Sequence, residues 1–443
     1  MQDRLRHYWM ILRGNLWFVP MLMSIAAVAL AVLLLTHRDL LPDGAVELWL
    51  VYSGDPESAR QLLGALLSGI ITMTSLVVSI TVVVLTLAAG QLGPRLVRNF
   101  ISDPQTQAVL GLFVATILYL LVVFRSIGGL SSGGIPHLAV SVGTAMSALC
   151  LFVLLFFVHK LARSIMYDNV VRDVTRELRT AIDHLLPEAE ASQLTAEPAP
   201  ENTVWIGLGH DGYIEAIDFD MLVGEARKRG AVLWIKVRPG HFVLARGAHV
   251  GVHPPNCCSE ELVRAIRNAF IIGAERTPTQ DLEYGIRQMV EIALRALSPG
   301  INDVFTALAV IDNLSSGLSL IFDRQLEIAA HGDQDGKLRV VRSVTDYDGI
   351  VRAAFDQIRQ AGQAMPAVLI RLAEGVARLA PYVRLDEQRR SLLRQLTLVQ
   401  EAGDRFISQD RDRAMLQQSC QEARQLMIRL DRSMADFAPM ATR

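Results

Sequence analysis

QLLGALLSGIITMTSLVVSITVVVLTLAAGQLGP, residues 61–94, runs for 34 positions without an Asp, Glu, Lys or Arg. A helix needs about 20 apolar residues to cross the ~30 Å hydrocarbon core of a bilayer. The segment reads as a membrane-spanning helix, and that reading sets the class of the chain. Three further charge-free runs accompany it: Asn15–Thr36, Pro104–Phe124 and Ser126–Val158, of 22, 21 and 33 residues. The last is shortened by Gly128–Gly134 (Gly-Gly-Leu-Ser-Ser-Gly-Gly), which reads as a loop. Four spans are expected, near 16–35, 63–90, 106–124 and 137–158.

Composition agrees. The chain has 443 residues, 51% hydrophobic and 20% charged, with a mean hydropathy of +0.30. Such a balance is foreign to a disordered chain. A net charge of -2 provides no basic field for nucleic acid. Four cysteines (Cys150, Cys257, Cys258, Cys420) are too few for a disulfide scaffold. The apolar stretch of the first span is too long for a signal peptide, and Thr36-His37-Arg38-Asp39 after it is no cleavage site, so it reads as a retained anchor.

Flanking charge orients the spans. Arg4, Arg6 and Arg13 precede the first, Arg95 and Arg98 follow the second, and Lys160, Arg163 and Arg172 follow the fourth. The 37–60 connection is rich in acids (Asp39, Asp43, Glu47, Asp55, Glu57). The positive-inside rule then puts both termini in the cytoplasm, with residues 161–443, and the chain reads as a multi-pass membrane protein in contact with lipid.

The second span has a polar face. At 100° per residue, Gln61, Ser68, Thr72, Ser75, Ser79 and Thr86 fall within an arc of about 60°, opposite Leu66, Ile70, Met73, Val77 and Val84. Two readings stay open. Copies of this helix around an axis would line an uncharged polar path for a small ion or solute; alternatively, small hydroxyl residues let neighbouring helices pack closely. No Asp, Glu, Lys or Arg lies inside a span, which counts against charge-coupled carriers and voltage sensors. Gly90, Gly93 and Pro94 are expected to break the helix, and Leu96, Val97 and Phe100 with Arg95 and Arg98 suit an interfacial stretch or a short loop.

The remainder divides by pattern. Residues 161–200 hold an amphipathic helix (Val171, Val174, Leu178, Ile182, Leu185) and a Glu/Ala/Pro/Ser-rich linker from Pro187. Residues 201–256 read as a small β-rich domain whose Arg238-Pro239-Gly240-His241 hairpin resembles those of barrel-sandwich modules, without their Met-Lys carrier turn. Residues 257–443 read as mostly α-helical, with Lys337–Val344 as a lone strand. Within them Arg276, Asp281, Arg287, Glu291, Asn302 and Asp303 crowd one corner. Arg287, Glu291 and Arg295 have the spacing of an ion-pair ladder, and Asn302 or Asp303 can cap the next helix. The corner is either a ligand site, with Arg276 and Arg287 taking a carboxylate or phosphate beside a helix N-terminus, or a structural knot between helices.

Leu16-Trp17-Phe18-Val19-Pro20, Pro94-Arg95-Leu96, Tyr284-Gly285-Ile286-Arg287-Gln288 and Leu297-Ser298-Pro299-Gly300-Ile301-Asn302-Asp303 together resemble the bacterial predicted-membrane-protein family known as domain of unknown function 2254, over roughly residues 10–430. Val304 stands where that family's pattern has a proline. The resemblance implies a bacterial inner-membrane protein and carries no activity.

Other motifs lead nowhere specific. His249, His253, Cys257 and Cys258 have donor atoms for zinc or copper, but Pro254-Pro255 intervenes and adjacent cysteines chelate a tetrahedral ion poorly. His159 suits an interfacial anchor. The sequence has no Walker A loop, dinucleotide glycine motif, nucleophile elbow or His-Glu-x-x-His, so no catalytic residue, metal or cofactor is assigned and an enzyme is the least favoured class. The expectation is an α-helical integral membrane protein with four transmembrane helices over 1–160, working as a homo-oligomeric channel-like protein with a cytoplasmic sensing or vestibule domain. The alternative is a non-conducting membrane-anchored scaffold or sensor.

Overall fold

The computed structural model describes residues 17–37, 52–91, 103–128, 136–164, 167–186, 198–326 and 329–437. The chain forms two compact units, Met1–Asn169 and Val170–Arg443. The first holds four long helices: α1 (Phe18–Thr36), α2 (Pro56–Gln91), α3 (Pro104–Gly128) and α4 (His137–Ser164). Each is long and apolar enough to cross a membrane. Two of them begin on the same device. An Asp precedes a Pro at the first helical position, where no backbone N–H is missed. Asp55 accepts from Ser58 N at 3.3 Å, and Asp103 from Thr106 N at 3.0 Å. The first cap starts α2 five residues ahead of its charge-free run, and the second starts α3 at the first residue of its own. The loop expected after Gly128, the break at Gly93-Pro94 and the interfacial stretch 95–100 lie outside the described residues.

α3 is the hub of this unit and packs on α1, α2 and α4. Phe113, Tyr119, Leu120 and Val123 on it are buried. Glycines permit the close approaches: a Cβ on Gly111 would lie 2.6 Å from Met23 Sδ on α1, and one on Gly143 of α4 would lie 2.9 Å from Leu120 Cδ2. The one polar end among the buried aromatics, the Tyr119 hydroxyl, donates to Ala139 O at 2.9 Å. A phenol buried in an apolar bundle needs such a partner.

The second unit takes in α5 (Tyr167–Leu185), whose expected apolar stripe is buried at Val171, Val174, Leu178 and Ile182. The β-rich part follows: β1 (Val204–Ile206), β2 (Gly212–Ile217), α6 (Phe219–Arg229), β3 (Val232–Ile235), β4 (Phe242–Val243), β5 (Val250–His253), α7 (Glu260–Ala269) and β6 (Phe270–Gly273). The helical part holds α8 (Glu283–Ala296), α9 (Val304–Phe322), α10 (Tyr347–Ala361), α11 (Pro366–Leu379), α12 (Asp386–Phe406) and α13 (Asp410–Phe437), with strands β7 (Ala330–Gly332) and β8 (Leu338–Arg342) between α9 and α10. The strands form a five-stranded sheet ordered β1-β5-β3-β8-β7 and a three-stranded sheet ordered β4-β2-β6.

Two strand expectations are corrected here. β8, expected alone, runs parallel to β3 with Leu233 opposite Val340, and antiparallel to β7. Its alternation explains this: Val340 joins the core of Leu233, Ile235, Val250 and Val252, while its neighbours Arg339 and Val341 fall on the opposite face. β6 falls in a stretch read as helix. Phe270-Ile271-Ile272 is a short apolar run whose periodicity fits either element.

Candidate functional site

The polar face of α2 is left uncovered by its own chain. Gln61, Ser68, Thr72, Ser75, Ser79 and Thr86 are all exposed, whereas Ile70, Val77 and Val84 opposite them are buried. Gly69, beside Ser68, has open space where a Cβ would stand. The threonines of this helix turn inward on their own backbone. Thr72 donates to Ser68 O at 3.0 Å, Thr74 to Ile70 O at 2.7 Å, Thr81 to Val77 O at 2.7 Å and Thr86 to Val82 O at 2.8 Å. Such bonds satisfy a hydroxyl without water.

The crowded corner of the second unit resolves into three groups strung along α8. At its N-terminal end stand Arg276, Asp281 and Arg287, joined by Glu283 and Thr345, which the sequence did not single out, and by Arg238, Gly240 and His241, which it read only as a hairpin. Glu283 is the centre, its side chain 6% exposed. Its Oε1 accepts from Arg238 Nη2 at 2.5 Å and from the Thr345 hydroxyl at 3.0 Å. Its Oε2 accepts from Arg287 Nη2 at 2.7 Å and Nε at 3.1 Å. Asp281 Oδ2 accepts from Arg276 Nε at 2.8 Å and Nη2 at 2.5 Å, and its Oδ1 from Glu283 N at 3.1 Å.

The Arg-Pro-Gly-His turn closes on this pair of carboxylates. His241 N donates to Arg238 O at 3.1 Å, and Arg238 Nε donates to His241 Nε2 at 2.9 Å. Gly240 has φ of +85°, and a Cβ there would fall 2.2 Å from Asp281 Oδ2 and 2.6 Å from Arg276 Nη2. Both the backbone and the space require glycine.

The two carboxylates differ electrostatically. Burial pushes the Asp281 carboxyl up, and Arg276 opposes this without cancelling it. Burial also raises Glu283, but Arg238, Arg287 and Thr345 together outweigh it and hold Glu283 below its ordinary value. His241 is lowered, first by burial and then by the Arg238 charge, with Glu283 opposing and Arg276 and Arg287 adding to the effect. A neutral imidazole is what the acceptor role of Nε2 toward Arg238 requires.

The second group is Glu291 with Arg295, at 3.8 Å. The ladder expected through Arg287 takes a different course, because Arg287 reaches back to Glu283, the buried carboxylate on its other side. The third group, at the far end of α8, is the Ser298–Asp303 turn. Asp303 caps α9 through Thr306 N at 3.1 Å and its hydroxyl at 2.5 Å. Asn302 has φ of +50° and its N–H donates to Ser298 O at 2.9 Å. α8 has 14 residues, about 21 Å at 1.5 Å per residue, so this turn and the Arg276–Arg287 cluster occupy opposite ends of a helix.

His249, His253, Cys257 and Cys258 separate as well. Cys257 Sγ donates to Arg229 O at 3.1 Å, and His253 stands edge-on to Trp234. Among the described residues no group of three or more His, Cys, Asp or Glu is placed to hold a metal ion.

The family model described as "Predicted membrane protein (DUF2254)" matches residues 13–378. The chain is 31% identical over 377 residues to the uncharacterized protein Rv1290c of Mycobacterium tuberculosis (strain ATCC 25618 / H37Rv) and, equally, to the uncharacterized protein Mb1321c of Mycobacterium bovis (strain ATCC BAA-935 / AF2122/97). In each case the match covers 83% of this chain and 72% of the relative. No solved structure matches it. With a helical membrane-type unit, the Gly-Ile-Arg-Gln and Ser-Pro-Gly-Ile-Asn-Asp segments at the two ends of α8, and a family match over most of its length, the chain belongs to the DUF2254 family of predicted membrane proteins.

Proposed function

We propose that this is a homo-oligomeric, channel-like protein of the bacterial cytoplasmic membrane, with a passive polar path lined by α2 and a cytoplasmic sensing domain. One observation supports the reading: the six polar residues of the arc, Gln61 to Thr86, all lie on a face of α2 that the described residues of α1, α3 and α4 leave open, while Thr74 and Thr81 lie off that arc. A polar face at bilayer depth is disfavoured against lipid and is better placed against other copies or water. Hydroxyls can replace part of an ion's hydration without a fixed charge at that depth. The second reading, a non-conducting scaffold in which α2 helices pack tightly, draws support from Thr72 and Thr86, whose hydroxyls are already satisfied by backbone.

Single cysteines at 68, 72, 75, 79 and 86, in a chain whose Cys150 is replaced, separate these readings. In the channel reading they react with a water-soluble thiol reagent while Val77→Cys, on the buried face, stays protected. Uniform protection along the stripe in an assembled protein would give way to the scaffold.

A further inference from the structure

The cluster at the start of α8 has a feature that a structural knot does not need. Each of its three arginines spends two arms and keeps one. Arg238 uses Nε on His241 and Nη2 on Glu283; Arg276 and Arg287 use Nε and Nη2 on Asp281 and Glu283. The Nη1 arm of each has no partner among the described residues, and those of Arg238 and Arg276 are not buried. Arg287 keeps 44% of its side chain exposed.

The three groups converge. Arg238 and Arg287 grip the two oxygens of one carboxylate, and Arg276 lies against Gly240, next to His241. Arg238, Arg276 and Arg287 all act on His241 electrostatically. Three guanidiniums against two carboxylates leave one positive charge in excess. The carboxylates, nearly fully buried, hold the guanidinium planes in place, and preorganised planar donors are what oxyanion recognition uses.

We propose that Arg238, Arg276 and Arg287 form an oxyanion site of the phosphate class, reading a phosphoryl group through their Nη1 edges while Glu283 and Asp281 fix their orientation. This rests on the sensing role given above to the cytoplasmic part, and not on conduction. A phosphoryl group can come from a soluble phosphate or from a lipid headgroup, and the geometry fits both.

Thermal unfolding of the full-length protein in a neutral detergent tests this without reference to transport. Inorganic phosphate and pyrophosphate, each compared with sodium chloride at equal ionic strength, should raise the midpoint saturably if the soluble form is read. Dihexanoyl phosphatidylglycerol below its micellar concentration should do so if the headgroup is read. In either case Arg287→Gln should weaken the apparent affinity at least tenfold. Arg352→Gln, on the exposed face of α10, should leave it unchanged. Arg287→Lys keeps the charge without the fork and should fall between; it also replaces Arg287→Gln if that variant does not fold. No saturable response to any of the three probes, or an equal response in wild type and both Arg287 variants, would overturn the site whatever the outcome of the cysteine scan.

Discussion

At the scale of single residues, Glu283 is the centre of the polar cluster in the second unit. Its carboxylate is buried, and Arg238, Arg287 and Thr345 converge on it from three separate segments of chain. Removing the charge strands two guanidiniums that were positioned by it. Glu283→Gln should therefore cost about 3–5 kcal/mol, the range for breaking a buried pair from one side. Arg287→Gln should cost less, about 1–2 kcal/mol, since Arg287 is half exposed and Glu283 keeps Arg238 and Thr345. Thermal unfolding of the two variants side by side checks the order; equal losses would mean that Arg287, not Glu283, organises the cluster. Part of this was legible in the sequence. A carboxylate four residues before an arginine on a helix is an i,i+4 pair, and the same rule applied forward instead of backward led to Glu291. Arg238 and His241 were not legible as partners of Glu283. They are separated from it by more than forty positions, and only the fold of the Pro-Gly turn onto α8 brings them together.

At the scale of elements, long apolar runs and strong amphipathic stripes were readable, because burial of one face dictates a period that tertiary contacts seldom override. α10 (Tyr347–Ala361) buries Ile350, Val351, Ala354, Phe355 and Ile358 at helical spacing, and the four long helices of the first unit overlap the charge-free runs. Two short strands were not readable in the same way. β6 and β7 have four and three residues, too few to establish a period; β6 pairs with β2, more than fifty positions earlier, and β7 with β8 across the Asp335-Gly336 turn. The packing of α5 on α8 and α9 shows what single glycines contribute at this scale. Leu178 of α5 is buried, and a Cβ would lie 2.8 Å from its Cδ2 at Gly317 and 3.2 Å from its Cβ at Gly285. Gly285 belongs to the Tyr-Gly-Ile-Arg-Gln segment, so one role of that segment is to admit α5. Polar contacts flank the apolar one: Thr175 donates to Asn313 Oδ1 at 3.1 Å and Arg179 to the Ser316 hydroxyl at 3.0 Å. Gly317→Val should overpack this contact and destabilise the unit by about 1–3 kcal/mol. Adding Leu178→Ala to it should recover part of the loss, because the double variant restores space; a strictly additive double variant, measured by thermal unfolding, would count against this contact as the cause.

At the scale of the whole molecule the open quantity is the number of spans. Among the described residues five helices are long and apolar enough to cross a membrane, and the fifth is α9. Hydropathy alone cannot separate a span from a helix buried in a bundle, since both are apolar on most sides. Side chains separate them. Asp312 sits at the middle of α9 and accepts from Arg371 Nη1 at 2.7 Å and Arg378 Nη1 at 2.6 Å, both on α11. At the centre of a membrane helix an Asp costs about 3 kcal/mol, and two exposed arginines would have to accompany it into the bilayer. Val310, Ile311, Leu314 and Leu318 are instead buried among the helices of the second unit. The expected topology is therefore four spans with both termini on one side, and the arginine-rich flanks make the cytoplasm the expected side. Alkaline phosphatase fused after Gly129 should be active, and fused after Gln193 or at the C-terminus inactive. Green fluorescent protein at the C-terminus should fluoresce. If α9 crossed the membrane, the fusion at Gln193 would stay silent while the C-terminal one gained phosphatase activity and lost fluorescence, so this pair of positions tests the fifth helix separately from the first four.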